Sequence, residues 1–193
     1  MLQLNDYQQR HKEVADLDRK AARLVHIALL TALCAAATLV IPIPTVTGGY
    51  LNAGDIVIVM TALLAGPLYA SAAGGIGSAL ADLLAGYTVF APASLIAKGL
   101  AGCLIGWMWK SFSRTGTLRA VFAAVCGESV MVLVYFLFEA FALRLGLGAA
   151  AEVPANLLQA AAGVIGGIAF YHALYRIPRI RTFSDEALNR KKQ

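Results

Sequence analysis

The sequence predicts an all-α integral membrane protein, a bundle of six transmembrane helices with both termini in the cytoplasm. Of its 193 residues, 59% are hydrophobic and only 14% are charged, whereas about 25% of the residues in a typical soluble domain are charged. The apolar segments leave room for about six spans of roughly 20 residues each. These observations predict one compact bundle in a lipid bilayer.

The positions of the basic residues predict the orientation of that bundle. All lysines and arginines except Lys98 and Arg144 lie near the N-terminus, in the connection after the fourth helix, or in the C-terminal tail. Under the positive-inside rule these regions are cytoplasmic. Because they flank apolar segments, they do not indicate nucleic-acid binding. The uncharged connections 42–54 and 85–93 and the Gly-rich connection 146–154 are expected to face outward, from the plasma membrane of a prokaryotic cell.

The chain divides into three predicted regions. Residues 1–20 alternate charged and apolar groups, which predicts a cytoplasmic amphipathic N-terminal extension. Residues 21–178 form the six-helix substrate-binding domain, and residues 179–193 a basic cytoplasmic tail. The second and third helices are expected to be short and to leave a recess at one face of the membrane. The predicted helices are Leu24–Ile41, Asp55–Ala65, Ala70–Leu84, Ser94–Phe112, Leu118–Leu145 and Ala155–Tyr175.

A stripe of small residues lies on the first helix. Ala28, Ala32 and Ala36 recur at every fourth position and therefore share one face. Small residues let two membrane helices approach closely. The stripe is expected to contact either another helix of this chain or a partner protein.

Polar residues inside the apolar segments mark the candidate site. Given the predicted topology, residues from five helices meet at one depth in the outer half of the membrane, where intramembrane polar groups usually face a cavity. The polar members are expected to supply hydrogen bonds, while Tyr50, Tyr87 and Phe90 could stack on a ring. The candidate substrate-binding residues are Tyr50, Asn52, Asp55, Asp82, Tyr87, Phe90, Lys98, Glu128, Tyr135, Glu139, Asn156 and Gln159.

Several of these residues also have structural interpretations. Asp55 could simply complement a helix N-terminus, and Asp82 with Lys98 could form a structural ion pair. Glu139 could lie among the lipid headgroups. Glu128 lies near mid-membrane without an obvious partner, and would be protonated there or extend to the floor of the cavity.

Catalytic and cofactor motifs are missing from the sequence. It contains no G-x-x-x-x-G-K-[ST], no G-x-S-x-G and no H-E-x-x-H, the patterns of P-loop ATPases, serine hydrolases and zincins. The three cysteines, Cys34, Cys103 and Cys126, match no metal-binding spacing. We therefore expect no enzyme activity, no bound cofactor and no metal site in this chain.

Three runs resemble a known family: GGYLNAGD, ALLAGPLYASAAGGIGSALADLLAGY and FAPASLIAKGLAGCLIG. They are similar to the substrate-binding S components of energy-coupling-factor (ECF) vitamin transporters, most of all to the hydroxymethylpyrimidine and pyridoxine branch. The resemblance implies capture of a vitamin from outside, with two ATPases and a coupling membrane protein as partners. It further implies that the stripe Ala28, Ala32 and Ala36 contacts the coupling protein, and that Pro42–Gly54 gates the substrate.

Two other functions are consistent with the sequence. A stand-alone proton-coupled carrier would use Glu128 or Asp82 as its proton site. A membrane scaffold would bind no ligand, and its buried charges would be purely structural.

Overall fold

The computed structural model describes residues 2–40, 42–111 and 116–189, the side chains of 2–9, 12 and 189 excepted. It is an all-α bundle with one small hairpin, as the sequence predicts apart from the hairpin. Residues 112–115 of the predicted basic connection and residues 190–193 of the tail lie outside the described ranges. The elements are α1 Leu2–Val40, β1 Ile43–Pro44, β2 Tyr50–Leu51, α2 Gly54–Ala65, α3 Pro67–Ala85, α4 Ala91–Ser111, α5 Thr117–Leu137, α6 Val153–Tyr175 and α7 Pro178–Asn189.

Helix α2 is the centre of the bundle. All of its 12 residues except Ile56 are buried, because α1, α3, α4, α6 and α7 pack around it. At about 1.5 Å per residue it is only about 18 Å long. A helix this short leaves space at its ends, and the hairpin occupies one end while α7 lies against the other.

Helix α1 continues without a break through the predicted N-terminal extension. Its 39 residues make it about 58 Å long. Cys34 and Thr38 lie on its buried face. Gly77 of α3 permits the close contact, since a Cβ there would lie 2.7 Å from the Thr31 carbonyl oxygen.

Helix α3 begins earlier than predicted and is not short. It starts at Pro67 and has 19 residues. The Gly66-Pro67 turn does separate it from α2, but proline is well tolerated in the first turn, where the backbone N–H has no partner within the helix. The predicted recess therefore arises from α2 alone.

Helix α5 ends in a π-turn, Phe138–Ala142, and the following connection forms a 3₁₀ helix, Gly146–Ala151. In the π-turn the Leu143 N–H donates a hydrogen bond to the Phe138 carbonyl oxygen at 3.1 Å. Such turns shift the facing of the residues they contain and are frequent at functional sites. Glu139 lies in this turn.

Helix α7 occupies part of the predicted basic tail. Ser184, Ala187 and Leu188 are buried, and the Phe183 ring stacks on His26 at a centroid distance of 4.6 Å. Leu188 lies beside Gly66 at the end of α2. The tail is therefore a packed helix as far as it is described.

Within the described residues, five segments are long and apolar enough to cross a membrane: Glu13–Val40, Pro67–Ala85, Ala91–Ser111, Thr117–Ala142 and Gly146–Tyr175. Helix α2 is apolar but shorter than the roughly 20 residues a span requires. The chain is thus a multi-pass membrane protein by length and composition.

Candidate functional site

A cavity lies at the hairpin end of the bundle, between the hairpin and the adjoining ends of α3, α4, α5 and α6. It contains about 340 Å³ of space, including space open to the outside. The lining residues are Gly49, Tyr50, Asn52, Asp82, Phe90, Ser94, Tyr135, Glu139, Glu152, Asn156 and Gln159.

The hairpin forms the outer wall. Its strands pair Ile43 with Leu51 and Pro44 with Tyr50, and its turn includes Gly48 at φ +88°, a left-handed conformation that glycine adopts most readily. Hydrogen bonds made by the Thr47, Tyr50 and Asn52 side chains connect this segment to the rest of the bundle. It falls within the predicted gate, Pro42–Gly54.

Asn52 joins the hairpin to the floor of the cavity. Its Oδ1 accepts hydrogen bonds from the Gly54 N–H at 3.0 Å and from Lys98 Nζ at 2.9 Å. Its own N–H donates to Gln159 Oε1 at 2.8 Å. One residue thus connects the start of α2 with α4 and α6.

Lys98 and Asp55 form a buried ion pair beneath the cavity. Lys98 Nζ lies 3.3 Å from Asp55 Oδ1, and the two side chains are 1% and 2% exposed. Gln159 Nε2 donates to the other oxygen of Asp55. The suggested Asp82–Lys98 pair is therefore wrong: Asp55 is the ion-pair partner, because the first turn of α2 lies against Lys98 in the centre of the bundle.

Asp82 is bound instead by the hairpin. The Tyr50 hydroxyl donates to Asp82 Oδ1 at 2.6 Å, and the Tyr50 ring packs on Tyr87 at a centroid distance of 4.3 Å. Burial and the hydrogen bond to Asp82 raise the pKa of the Tyr50 hydroxyl, so this group stays a proton donor at neutral pH. Asp82 Oδ2 is buried and has no partner among the described residues.

The opposite wall carries two more carboxyl groups. Glu139 is 1% exposed and Glu152 is 4% exposed. Thr47 of the hairpin turn donates to Glu152 Oε2 at 2.7 Å, whereas Glu139 Oε2 has no hydrogen-bond partner in the described part of the chain. Between the walls, the Tyr135 hydroxyl lies 2.6 Å from Ser94 Oγ.

Glu128 lies deeper than the cavity. It is 2% exposed, and neither of its carboxyl oxygens has a hydrogen-bond partner among the described residues. A Cβ at Gly163 would lie 3.4 Å from Glu128 Oε1 and 2.9 Å from the Cβ of Asp55. Gly163 therefore lets α6 approach both acidic side chains.

The structure brings most of the predicted site residues together. Eight of them line the cavity: Tyr50, Asn52, Asp82, Phe90, Tyr135, Glu139, Asn156 and Gln159. Asp55 and Lys98 lie beneath the floor, Glu128 lies deeper, and Tyr87 packs behind Tyr50. Their roles in substrate binding stay predictions.

Sequence reasoning missed Gly49, Ser94 and Glu152. Ser94 lies one helical turn before Lys98 and so shares its face, a signal that was present. Glu152 was assigned to an outer connection, although it lies beside a predicted site helix. Gly49 has no side chain by which to recognise it.

The described helices are those of a multi-pass membrane protein with a polar cavity at one end, and comparison with known proteins specifies the class. Residues 19–176 match the family model described as ECF-type riboflavin transporter, S component. The chain belongs to this family of transport subunits. It is also similar to a protein of Pyrococcus woesei described as "Uncharacterized protein in gap 3'region", with 43% identity over 132 residues, 67% of this chain and 86% of that protein.

Proposed function

We propose that this chain captures a small water-soluble vitamin or vitamin precursor at the outer face of the plasma membrane for ATP-driven import. The main support is the cavity at the hairpin end, which aromatic rings and hydrogen-bonding groups line together. The chain also belongs to the S component family. Ligand sites typically combine apolar walls with a few placed polar groups. The chain itself would act by binding, without catalysis and without a cofactor.

The favoured ligands are of the vitamin B6 or hydroxymethylpyrimidine class, which the sequence runs described above suggest. Riboflavin is the second candidate, because the matching family model is named for it. Either heterocycle could stack on Tyr50 or Phe90 and bond to Asn156 or Gln159. For the ligand to enter, the hairpin would have to move outward. This movement would break the hydrogen bonds that the Thr47, Tyr50 and Asn52 side chains make with the helix bundle.

The proposed partners are a coupling membrane protein and two ATPase subunits. Ala28, Ala32 and Ala36 are all exposed on the described bundle, whereas the buried face of α1 is the one with Cys34 and Thr38. This exposure supports contact with a partner helix rather than packing within the chain. In this arrangement helices α1 to α6 form the membrane domain, and both termini are cytoplasmic.

Uptake into proteoliposomes tests this function. With the coupling protein and ATPases co-reconstituted, labelled pyridoxine, hydroxymethylpyrimidine or riboflavin should accumulate only when ATP is supplied, and an uncoupler should not prevent it. Accumulation by this chain alone, abolished by an uncoupler, would instead establish the proton-coupled carrier. Absence of both uptake and binding for all three compounds would favour the scaffold.

A further inference from the structure

The cavity has a strong excess of acidic groups. Of the buried ionisable side chains at this end and beneath it, five are carboxyl groups and one is an ammonium group: Asp55, Asp82, Glu128, Glu139 and Glu152 against Lys98. The lining contains no lysine, arginine or histidine. Lys98 forms its ion pair with Asp55 and is also near enough to interact with Asp82, but one ammonium group does not balance the three carboxyl groups of the lining.

Two of these carboxyl groups have buried oxygens without a partner. Asp82 and Glu139 are 2% and 1% exposed, and Asp82 Oδ2 and Glu139 Oε2 have no hydrogen bond of good geometry in the described ranges, although the Ser94 and Thr47 hydroxyls lie near these two carboxyl groups. Glu152 is close enough to Glu139 for the two charges to repel each other. Buried polar atoms are nearly always bonded, and buried charges are nearly always paired. The missing partners point to groups supplied by a ligand.

The described lining of the cavity does not suit a metal ion. Among the described residues, no three His, Cys, Asp or Glu side chains are grouped so that they could hold a metal ion. Asp82 on α3 and Glu139 on α5 instead lie on different walls, with Tyr50, Phe90 and Tyr135 between and around them. Aromatic faces attract cations as well as rings.

We propose that the cavity selects a ligand bearing positive charge, a protonated amine or a cationic nitrogen heterocycle, which donates hydrogen bonds to Asp82 and Glu139. This inference rests on the proposed function and narrows it from vitamins in general to those with a cationic group. Charge-assisted hydrogen bonds of this kind are shorter and about twice as strong as neutral ones. A ligand with a carboxylate or phosphate at the same place would be repelled.

A matched pair of ligands tests the sign of the charge. Pyridoxamine and 4-pyridoxic acid share one ring and differ in an aminomethyl against a carboxylate group at the same carbon. Titration calorimetry of the purified full chain with both, and with cationic thiamine and neutral riboflavin, should give the tightest binding with a cation. We expect pyridoxamine to bind at least about tenfold more tightly than 4-pyridoxic acid, a difference of about 1.4 kcal/mol.

Neutral isosteres test the two residues. Asp82→Asn and Glu139→Gln should each weaken binding of the cation about tenfold or more, whereas Glu186→Gln on the exposed surface of α7 should not. Thermal unfolding of each variant checks that it folds, and the ligand series on the unsubstituted chain does not depend on the variants.

The outcomes separate this inference from the function it refines. Tighter binding of 4-pyridoxic acid or riboflavin than of either cation would overturn the charge selection and leave vitamin capture standing. Unchanged cation affinity in folded Asp82→Asn and Glu139→Gln chains would do the same. No binding of either cation would overturn the charge selection, and the proposed function would fall as well only if pyridoxine and hydroxymethylpyrimidine also failed to bind.

Discussion

Lys98 and Asp55 hold the floor of the cavity together at the scale of single residues. Both are buried, and through Asn52 and Gln159 they connect α2, α4 and α6 with the hairpin. A buried ion pair contributes little net stability, but loss of one member leaves an uncompensated charge in a dry environment. The pair is thus sensitive to single substitutions and tolerant of matched ones.

Replacement of Lys98 by Met should lower the free energy of unfolding by about 3–5 kcal/mol, because Asp55 would keep its charge without a cation. The double variant Lys98→Met with Asp55→Asn should recover part of that loss. Chemical unfolding in detergent of the two single variants and the double variant measures the coupling. Strictly additive losses would show that the two side chains do not act as a pair.

At the scale of elements, glycines on α4 bring it into backbone contact with α3 and with the Gly66-Pro67 turn. A Cβ at Gly102 would lie 2.6 Å from the Ala70 carbonyl oxygen, and one at Gly106 would lie 2.5 Å from the Pro67 nitrogen. Gly99 on the same helix leaves 3.6 Å to its nearest neighbour. Gly99 itself is therefore less tightly packed than Gly102 and Gly106, although α3 approaches the same half of α4 closely through Gly74 and Gly75.

Gly106→Ala should destabilise the protein by about 1–3 kcal/mol, as overpacking of a fixed backbone does. Gly99→Ala is the matched control and should be neutral or stabilising by up to about 1 kcal/mol, since alanine is the better helix former. Thermal unfolding of both variants under one condition compares them. Equal melting temperatures would mean that this contact is not as tight as described.

Helix α7 stabilises the other end of α2. Leu188 is 4% exposed and packs into the central core, so Leu188→Ala should cost about 2–4 kcal/mol. Glu186→Ala, two residues away on the exposed side of α7, should cost little. Ligand affinity measured on folded protein should be the same in both variants, because α7 is at the opposite end from the cavity. A loss of affinity with Leu188→Ala would contradict that separation.

Most helices could be predicted from the sequence because lipid requires long apolar segments. The bounds of α2, α4 and α6 differ from expectation by at most three residues. Helix α3 begins three residues before the predicted start at Ala70, because its first turn includes Pro67. Helix α7 was missed because its arginines indicated a cytoplasmic tail, although Ile180, Phe183 and Ala187 recur at helical spacing.

The site could be predicted as a set of residues but not as a set of bonds. The predicted topology placed the eight lining residues at one end of the bundle, through the depth of the helical residues in the membrane and the side on which the connections lie. The rotation of each helix is fixed by its neighbours, so the sequence could not show that Lys98 meets Asp55 rather than Asp82. The contribution of Glu152 depends on the path of the 3₁₀ connection, which no periodicity marks.

At the scale of the whole molecule, the candidate ligand site and the candidate docking surface lie at different places on the bundle. The cavity lies at the hairpin end, and the stripe Ala28, Ala32 and Ala36 lies on the outside of α1. The proposed function would use these two surfaces separately, one for the substrate and one for the coupling protein. Changes at one surface should leave the function of the other intact.

Ala32→Leu should reduce copurification with the coupling module at least about tenfold, because a large side chain prevents close approach of membrane helices. Ligand affinity and thermal stability should be unchanged. Ala162→Leu, at an exposed position on α6, is the matched control and should copurify normally. Equal copurification of the two variants would show that the stripe is not the docking surface.

The most direct test of the central claim is titration calorimetry of the purified chain alone, without ATP and without partner subunits. A panel of pyridoxine, pyridoxamine, hydroxymethylpyrimidine, thiamine and riboflavin covers the proposed ligands. We predict a saturable heat signal with one site per chain for at least one of them, weakened by Asp82→Asn. A folded chain that gives no heat signal with any member of the panel would contradict the claim that this subunit binds its substrate by itself.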